Sequence, residues 1–262
     1  MKTNIKFIEA FLILTTSIAF AQTPLFKYQY SHGGVIRGNT QQRQLALVFT
    51  GGDFSDGGRP IRNTLKSKHI PASFFFTGDF YRNPKNKKLI KQLVRDGHYL
   101  GAHSDKHLLY CSWGKRDSLL VNKAEFIQDL EANYLEMAKF GIKKEQARLF
   151  MPPFEWYNDS IATWAKSWGL VLVNFTPGTL SNADYTIPSQ QNYRSSERIW
   201  QSIIEYEQNH SDGLNGFLLL LHIGTHPERT DKFYYRLAEL VDYLQQRGYK
   251  FLRIDELLKE AY

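Results

Sequence analysis

The stretch PKNKKLIKQLVRDGHYLGAHSDKH, residues 84–107, predicts a helix, a strand and a metal-binding pair in that order. Pro84–Arg95 has the pattern of an amphipathic helix, and His98–Ala102 is a short apolar run typical of a buried strand. His103 and His107 follow this strand directly and are four residues apart. We therefore predict that both imidazoles lie on one side of a single helical turn, where they can bind one metal ion.

Short apolar runs and amphipathic helices alternate along the whole chain, which is the pattern of successive βα units. The predicted strands are Leu45–Thr50, Ala72–Phe76, His98–Ala102, Leu149–Met151, Leu170–Asn174, Phe217–His222 and Lys250–Arg253. The predicted helices are Arg59–Lys66, Pro84–Arg95, Asn122–Phe140, Asp159–Trp168, Ser195–His210 and Asp231–Arg247. Such parallel strands form either an incomplete barrel or an open doubly wound sheet. We favour an α/β fold, an incomplete and distorted (β/α)7 barrel similar to a TIM barrel, because no glycine-rich dinucleotide motif follows the first strand.

The N-terminus has the pattern of a secretory signal peptide. Residues 1–21 contain two lysines, an apolar run and the small-x-small sequence that ends at Ala21. This apolar run is too short to cross a bilayer, and no second one follows it. We expect cleavage near Ala21 and Gln22, a secreted or periplasmic protein without a membrane span, and one domain over residues 22–262.

Composition favours one well-packed domain without a nucleic-acid partner. Hydrophobic residues make up 42% and aromatic residues 15% of the chain, which is sufficient for a large core. The formal net charge of +7 is spread in ones and twos, whereas nucleic-acid-binding proteins concentrate positive charge in a stripe. The single cysteine excludes an intrachain disulfide. We expect a monomer that is stabilised by packing.

Polar residues follow several of the predicted strands, and in a barrel these positions form the active site. They are Asp53 and Asp56 after the first strand, His103 and His107 after the third, Glu155 after the fourth, and His222 and His226 at and beyond the end of the sixth. One aspartate and two histidines make a three-ligand metal site with a position open for water. A further histidine on another strand suits a general acid.

This ordered set resembles the polysaccharide deacetylase superfamily, the NodB-homology domain of carbohydrate esterase family 4, over nearly all of residues 22–262. The matching segments are the aspartate loop, His103-Ser104-x-x-His107, Pro152-Pro153-Phe154 and Leu218–His222. The resemblance implies an incomplete seven-stranded barrel. It also implies a metal-dependent hydrolase that removes N- or O-linked acetyl groups from a carbohydrate polymer or oligosaccharide. The implied cofactor is Zn²⁺ or another divalent ion such as Co²⁺, and the implied partner is an acetylated carbohydrate.

The chain departs from the family in two places. The family usually has Thr-Phe-Asp-Asp-Gly after the first strand, where the first aspartate is the general base and the second a metal ligand. Here Val48-Phe49-Thr50-Gly51-Gly52 occupies that register. The family also usually has an arginine before the Pro-Pro segment, where this chain has Met151. Both a base and its cationic partner are therefore absent from their usual positions.

The missing carboxylates need substitutes. Asp53 is our first choice for the metal ligand beside His103 and His107, because Gly51-Gly52 could absorb the two-residue offset, and Asp56 is our second. For the base we place Glu155 slightly ahead of Asp56, since Glu155 stands where the family usually has glycine. The alternative for Glu155 is that it only binds a sugar hydroxyl or solvent.

Other residues are predicted to shape the substrate site, namely Phe154, Trp156, Tyr157, Asp184 and His226. Trp156 and Tyr157 would stack on sugar rings or else belong to ordinary packing. His226 would shape the substrate site or else be a structural histidine. By resemblance, a backbone N–H near Phe154 stabilises the oxyanion and His222 is the general acid. Asp184 is our first choice for the aspartate that the family places beside that histidine.

Two other functions remain open. One is a metal-dependent hydrolase of another non-peptide C–N bond. The other is a catalytically impaired pseudo-deacetylase that binds glycans, which the loss of the aspartate pair motivates.

Overall fold

Seven parallel strands form the centre of the structure, a computed structural model that describes residues 28–259. The strands are β1 (Gln29–Ser31), β2 (Gly34–Arg37), β3 (Gln44–Gly51), β4 (Ser73–Phe76), β5 (Tyr99–Ala102), β6 (Leu149–Phe150), β7 (Val171–Leu172), β8 (Phe217–His222) and β9 (Lys250–Phe251). The helices are α1 (Gly58–Ser67), α2 (Gly78–Arg82), α3 (Lys87–Arg95), α4 (Lys123–Ala138), α5 (Asp159–Ser167), α6 (Ser196–Asn209), α7 (Leu237–Gln246) and α8 (Ile254–Leu257). All seven predicted strands are present, and the predicted (β/α)7 barrel-like fold is confirmed.

The strand order is β1-β2-β8-β3-β4-β5-β6-β7, and β9 pairs with the start of β3. β3 is the central strand because β8 and β4 both pair with it in parallel. Its apolar run from Leu45 to Phe49 is completely buried. Strands that are covered on both faces need such continuous apolar sequence, and each fully buried large side chain contributes about 1.5–3 kcal/mol.

A short hairpin that the sequence analysis did not predict closes much of the gap in the barrel. β1 and β2 pair antiparallel, and β2 pairs with β8 through Arg37 and Phe217. On its other side, Val35 forms a bridge with Val173, one residue beyond β7. The hairpin was missed because β1 is largely exposed and has no apolar alternation that would distinguish it from a loop.

The predicted helices are present. α1 is one residue longer at each end than predicted, and the others are shorter. α4 begins after Asn122, whose side chain accepts a hydrogen bond from the Glu125 N–H, while the Glu125 carboxylate accepts one from the Asn122 N–H. The predicted helix Asp231–Arg247 is divided into a 3-10 turn, Phe233–Arg236, and α7. None of the helices within residues 28–259 is both long and apolar enough to cross a membrane. The predicted signal peptide, residues 1–21, lies outside the described residues.

Candidate active site

The candidate active site lies at the carboxyl ends of the parallel strands. Thr50, near the end of β3, is in register with His222 at the end of β8. On the other side of β3 the register continues from Gly51 to Phe76 on β4 and from Phe76 to Ala102 on β5. The segments that follow these strands therefore meet at one edge of the sheet, as the sequence analysis predicted.

His103 and His107 lie next to each other, but the predicted helical turn is wrong. Residues 103–107 form a loop in which Ser104 and His107 have left-handed φ values of 70° and 54°. The two imidazole rings are 5.1 Å apart between centroids. A four-residue spacing occurs in tight loops as well as in helices, so the spacing alone did not distinguish them.

Both histidines are held in the neutral form that binds metals. Burial lowers the pKa of His103 well below its ordinary value, and burial lowers the pKa of His107 to about 4. The Nδ1 of His103 is 2.9 Å from the carbonyl oxygen of Met151. Since a carbonyl can only accept, Nδ1 carries the proton and Nε2 keeps a free lone pair. The pair thus has the donor chemistry of a divalent metal site.

The predicted third ligand does not join them. Among residues 28–259, no three His, Cys, Asp or Glu side chains lie close enough together to hold a metal ion. Asp53 is exposed, although its charge still acts on His107. Gly51 belongs to β3, and the backbone of Phe54 packs against Gly224, so the glycine pair does not act as the hinge that we expected.

The position usually occupied by the family's ligand aspartate is filled by other side chains. A Cβ at Gly51 would lie 2.6 Å from Cγ2 of Ile223 and 2.9 Å from Cδ1 of Phe76. Both contacts are shorter than real Cβ atoms tolerate, so a carboxylate here requires its neighbours to move. The residues present therefore fit an ion through two imidazoles, and the expected Asp-His-His set is not assembled.

Asp56 has a structural role that replaces its predicted role as base or metal ligand. Its carboxylate accepts hydrogen bonds from the Tyr234 hydroxyl at 2.7 Å and the Thr225 N–H at 2.8 Å, and it pairs with Lys232 at 3.0 Å. Partial burial opposes the charge, but these contacts outweigh it and lower the pKa of Asp56. Asp56 therefore fastens the loop after β3 to the segment after β8.

His222, which is half-buried, forms a pair with the buried Asp184. Nδ1 of His222 is 2.6 Å from Oδ1 of Asp184, and the His222 backbone N–H donates to Oδ2 at 2.9 Å. Burial alone would lower the pKa of His222, but the charges of Asp184 and Glu155 raise it above its ordinary value. Asp184 is itself buried beneath the histidine, so it orients His222 and is not the substrate-contacting residue also predicted for it.

Glu155 is the carboxylate that acts on this pair. Burial, together with the charge of Asp184, outweighs the attraction of His222 and raises the pKa of Glu155 to about 7. Phe154 and Glu155 have φ values of 58° and 52°, and the Asn174 amide donates to the Glu155 carbonyl. Glycine adopts this left-handed backbone without strain, which explains why it suits the position and why a glutamate there is costly.

An aromatic wall borders the histidine loop. Phe154, 42% exposed, packs against His107, and Trp113 contacts both Phe154 and Trp156. Trp113, 57% exposed, was missed because no strand or family motif marks its loop. The Arg116 guanidinium lies 3.5 Å from the ring centroid of Trp156. The wall therefore offers the exposed rings of Trp113 and Phe154 beside the two imidazoles, while Arg116 covers a face of Trp156.

Two other predicted substrate residues occupy different places. Tyr157 is buried, and its hydroxyl donates to the Ser31 carbonyl at 2.9 Å, so its ring cannot stack on a sugar. His226 packs edge-on against Phe54, and its Nδ1 accepts a hydrogen bond from the Glu228 N–H. Both contacts are structural.

Solved structures with the same architecture include two related proteins. Bacillus subtilis PdaA, a family 4 carbohydrate esterase, superposes with a TM-score of 0.67 at 21% identity, covering 88% of this chain and 87% of that one. A pseudoenzyme of the same family from Bacillus anthracis has a TM-score of 0.66 at 17% identity, covering 87% of this chain and 70% of that one. These likenesses show the fold.

The sequence comparison extends the likeness to the family. The chain is 27% identical over 222 residues to a peptidoglycan-N-acetylglucosamine deacetylase of Bacillus cereus, and the match covers 83% of this chain and 89% of that protein. The sequence pattern of the family described as polysaccharide deacetylase matches residues 37–173, which is more than half of the chain. With the barrel, the adjacent histidines and the His222–Asp184 pair, this match shows that the chain belongs to the polysaccharide deacetylase family.

Proposed function

We propose that the protein is a metal-dependent hydrolase that removes acetyl groups from a carbohydrate. The observation that carries this proposal is the arrangement of Glu155 and the His222–Asp184 pair at the strand ends that also present the two neutral histidines. A carboxylate with a pKa near 7 suits a general base, and a histidine with a raised pKa suits a general acid.

In this proposal His103 and His107 hold a divalent ion such as Zn²⁺ or Co²⁺. When bound, such an ion polarises the acetyl carbonyl and lowers the pKa of water. Glu155 accepts a proton from the attacking water, and the backbone N–H near Phe154 donates to the oxygen on which negative charge develops. His222 then donates its proton to the leaving nitrogen or oxygen while Asp184 holds the ring in place.

The proposed substrate is an N- or O-acetylated polymer or oligosaccharide. The exposed rings of Trp113 and Phe154 in the aromatic wall support this choice, because exposed ring faces stack on the apolar faces of sugars. The Bacillus cereus relative is named for its action on peptidoglycan, so we propose peptidoglycan as the first substrate to test. We further propose that the chain is exported after cleavage near Ala21, since such polymers lie outside the cytoplasm.

A second candidate function is glycan binding without turnover. Thr50 and Gly51 stand where the family usually has its two carboxylates, and the described residues do not assemble a third metal ligand. Family 4 also contains a chain without activity, since the Bacillus anthracis neighbour is described as a pseudoenzyme. The aromatic wall would then bind sugar while no acetate is released.

Metal content and acetate release together distinguish the two candidates. The purified protein is analysed for metals and assayed on peptidoglycan and chitooligosaccharides with added Zn²⁺ or Co²⁺, beside a His103→Gln variant. The proposal predicts a bound ion and acetate release that the variant lacks. If the wild-type protein binds glycan but neither retains a metal nor responds to added ions, the enzyme proposal is wrong and the binding function stands.

A further inference from the structure

The loop that carries both histidines is held by two polar side chains of α4. The Asn133 side-chain oxygen accepts a hydrogen bond from the His103 N–H at 2.9 Å, and its amide donates to the Phe76 carbonyl at 3.2 Å. The two carboxylate oxygens of Asp129 accept from the N–H groups of Asp105 and Lys106, each at 3.0 Å. Three backbone N–H groups of the five-residue loop thus donate hydrogen bonds to side chains on neighbouring turns of α4.

Both side chains are buried and do not act as surface groups. Asn133 is completely buried and Asp129 is 8% exposed. The hydrogen bonds recorded for the Asp129 carboxylate, within the part of the chain that the structure describes, come from the loop backbone and from the Tyr110 hydroxyl at 3.4 Å. Burying a carboxylate is costly unless its oxygens are hydrogen bonded. The loop backbone therefore provides most of that compensation.

The loop needs such support because its backbone is unfavourable. Ser104 and His107 both have left-handed φ values, which non-glycine residues rarely adopt. This conformation turns His107 back toward His103. Strained backbone persists only where surrounding contacts determine it. The bonds to Asp129 and Asn133 are contacts of this kind, since they fix the residues on either side of Ser104 and the residue before His107.

We propose that Asp129 and Asn133 are positioning residues that set the relative orientation of the two imidazoles for metal binding. The proposal rests on the proposed function, in which His103 and His107 hold a divalent ion. Neither side chain contacts the ion or the substrate. Each acts through the backbone of the loop, and the His103 tautomer with Nδ1–H bound to the Met151 carbonyl depends on that backbone.

The test compares Asp129→Asn with a matched control in the full-length protein. The amide of the variant keeps the size of the carboxylate but can accept only one of the two loop hydrogen bonds. The control is Glu207→Gln, which alters another buried helical carboxylate, one that pairs with Arg247 on the side of the fold away from the loop. Both variants are expected to unfold at a lower temperature, so thermal stability alone does not decide the question.

Three measurements decide it, and the first two are made on the metal-free protein. In Asp129→Asn, amide hydrogen exchange at Asp105 and Lys106 should become at least about tenfold faster, and nitrogen-15 NMR should show a mixture of His103 tautomers. The dissociation constant for Co²⁺, measured by its absorption spectrum, should rise by at least about tenfold. Glu207→Gln should leave all three quantities unchanged.

The proposal is overturned if Asp129→Asn loses stability but keeps the exchange rates and the tautomer of the wild-type loop. If the wild-type protein binds no Co²⁺, the metal part of the proposed function fails. The amide exchange rates and the His103 tautomer still test the positioning role. Should Asp129→Asn not fold, Asn133→Leu tests the same support through the His103 N–H, with the same readouts.

Discussion

At Glu155, burial, backbone strain and charge all act on one side chain. Its pKa is raised to about 7, its φ is 52°, and its charge acts on His222. None of these features stabilises the fold. A raised pKa means that the carboxylate contributes stability only when protonated, and that contribution is lost as the pH rises from about 4.5 through about 7. Such a residue is expected to have a functional role.

Glu155→Gln is therefore predicted to lower turnover by at least about a hundredfold, because glutamine cannot accept a proton. The same variant should be more stable than the wild type at pH 8, where the wild-type carboxylate is charged although it is half-buried. Acetate release and thermal unfolding measure the two effects. Unchanged turnover with intact metal content would remove Glu155 from the chemistry.

The pH dependence of turnover should have two limbs. Activity rises as Glu155 loses its proton, with an apparent pKa near 7, and falls as His222, whose pKa is raised by the charges of Asp184 and Glu155, loses its own. Asp184→Asn removes the charge that raises the pKa of His222, so it should move the falling limb to lower pH. The logarithm of kcat/KM against pH measures both limbs. A falling limb that does not move in Asp184→Asn would exclude His222 as the acid.

Gly51 determines whether the usual family ligand can be restored. Gly51→Asp alone is predicted to destabilise the protein by about 1–3 kcal/mol, because its Cβ would overlap Ile223 and Phe76. Combined with Ile223→Ala, it should gain room and tighten Co²⁺ binding at least about tenfold over Ile223→Ala alone. Urea unfolding and Co²⁺ titration measure these effects. Equal Co²⁺ affinity in the double variant and in Ile223→Ala alone would show that Gly51 does not face the ion.

At the scale of elements, α4 both supports the histidine loop and has a complete N-terminal cap. Asn122→Ala removes one of the two reciprocal hydrogen bonds with Glu125 and should lower the free energy of unfolding by about 1 kcal/mol. Gln128→Ala, at an exposed position of the same helix, should change it by less than about 0.5 kcal/mol. Urea unfolding distinguishes them, and equal losses would mean that the cap contributes nothing.

At the scale of the whole molecule, Arg37 connects the N-terminal hairpin to the barrel. Its buried guanidinium donates to the carbonyls of Asn215 at 2.9 Å and Gly213 at 2.8 Å, and to the Tyr206 hydroxyl. Arg37→Met leaves these acceptors buried without their donor, so we expect a loss of about 3 kcal/mol in the free energy of unfolding. The exposed Arg59→Met is the control and should change little. A comparable loss in both variants would contradict the role of Arg37.

Much of this architecture could be predicted from local sequence. Strands such as β3 and β8 are continuous apolar runs because both of their faces are buried. In the helices between the strands, apolar residues recur at helical spacing. The order of the polar residues at the strand ends could likewise be predicted from local sequence. The closure of the barrel by the β1–β2 hairpin could not be predicted, because the pairing of β2 with β8 and Val173 joins distant parts of the chain.

The sequence by itself determined the strand and helix order, the family and the residue types that reach one edge of the sheet, since periodicity and motif order are properties of neighbouring residues. Only the tertiary structure decided which of those residues meet. Asp184 pairs with His222, which is 38 positions away in the sequence. Asp56 binds Lys232 and Tyr234, and Asp53 is exposed to solvent. The reason is physical. A carboxylate pairs with the cation or N–H group that strand register and loop closure place within about 3 Å of it, and the spacing of residues along the chain does not determine that distance.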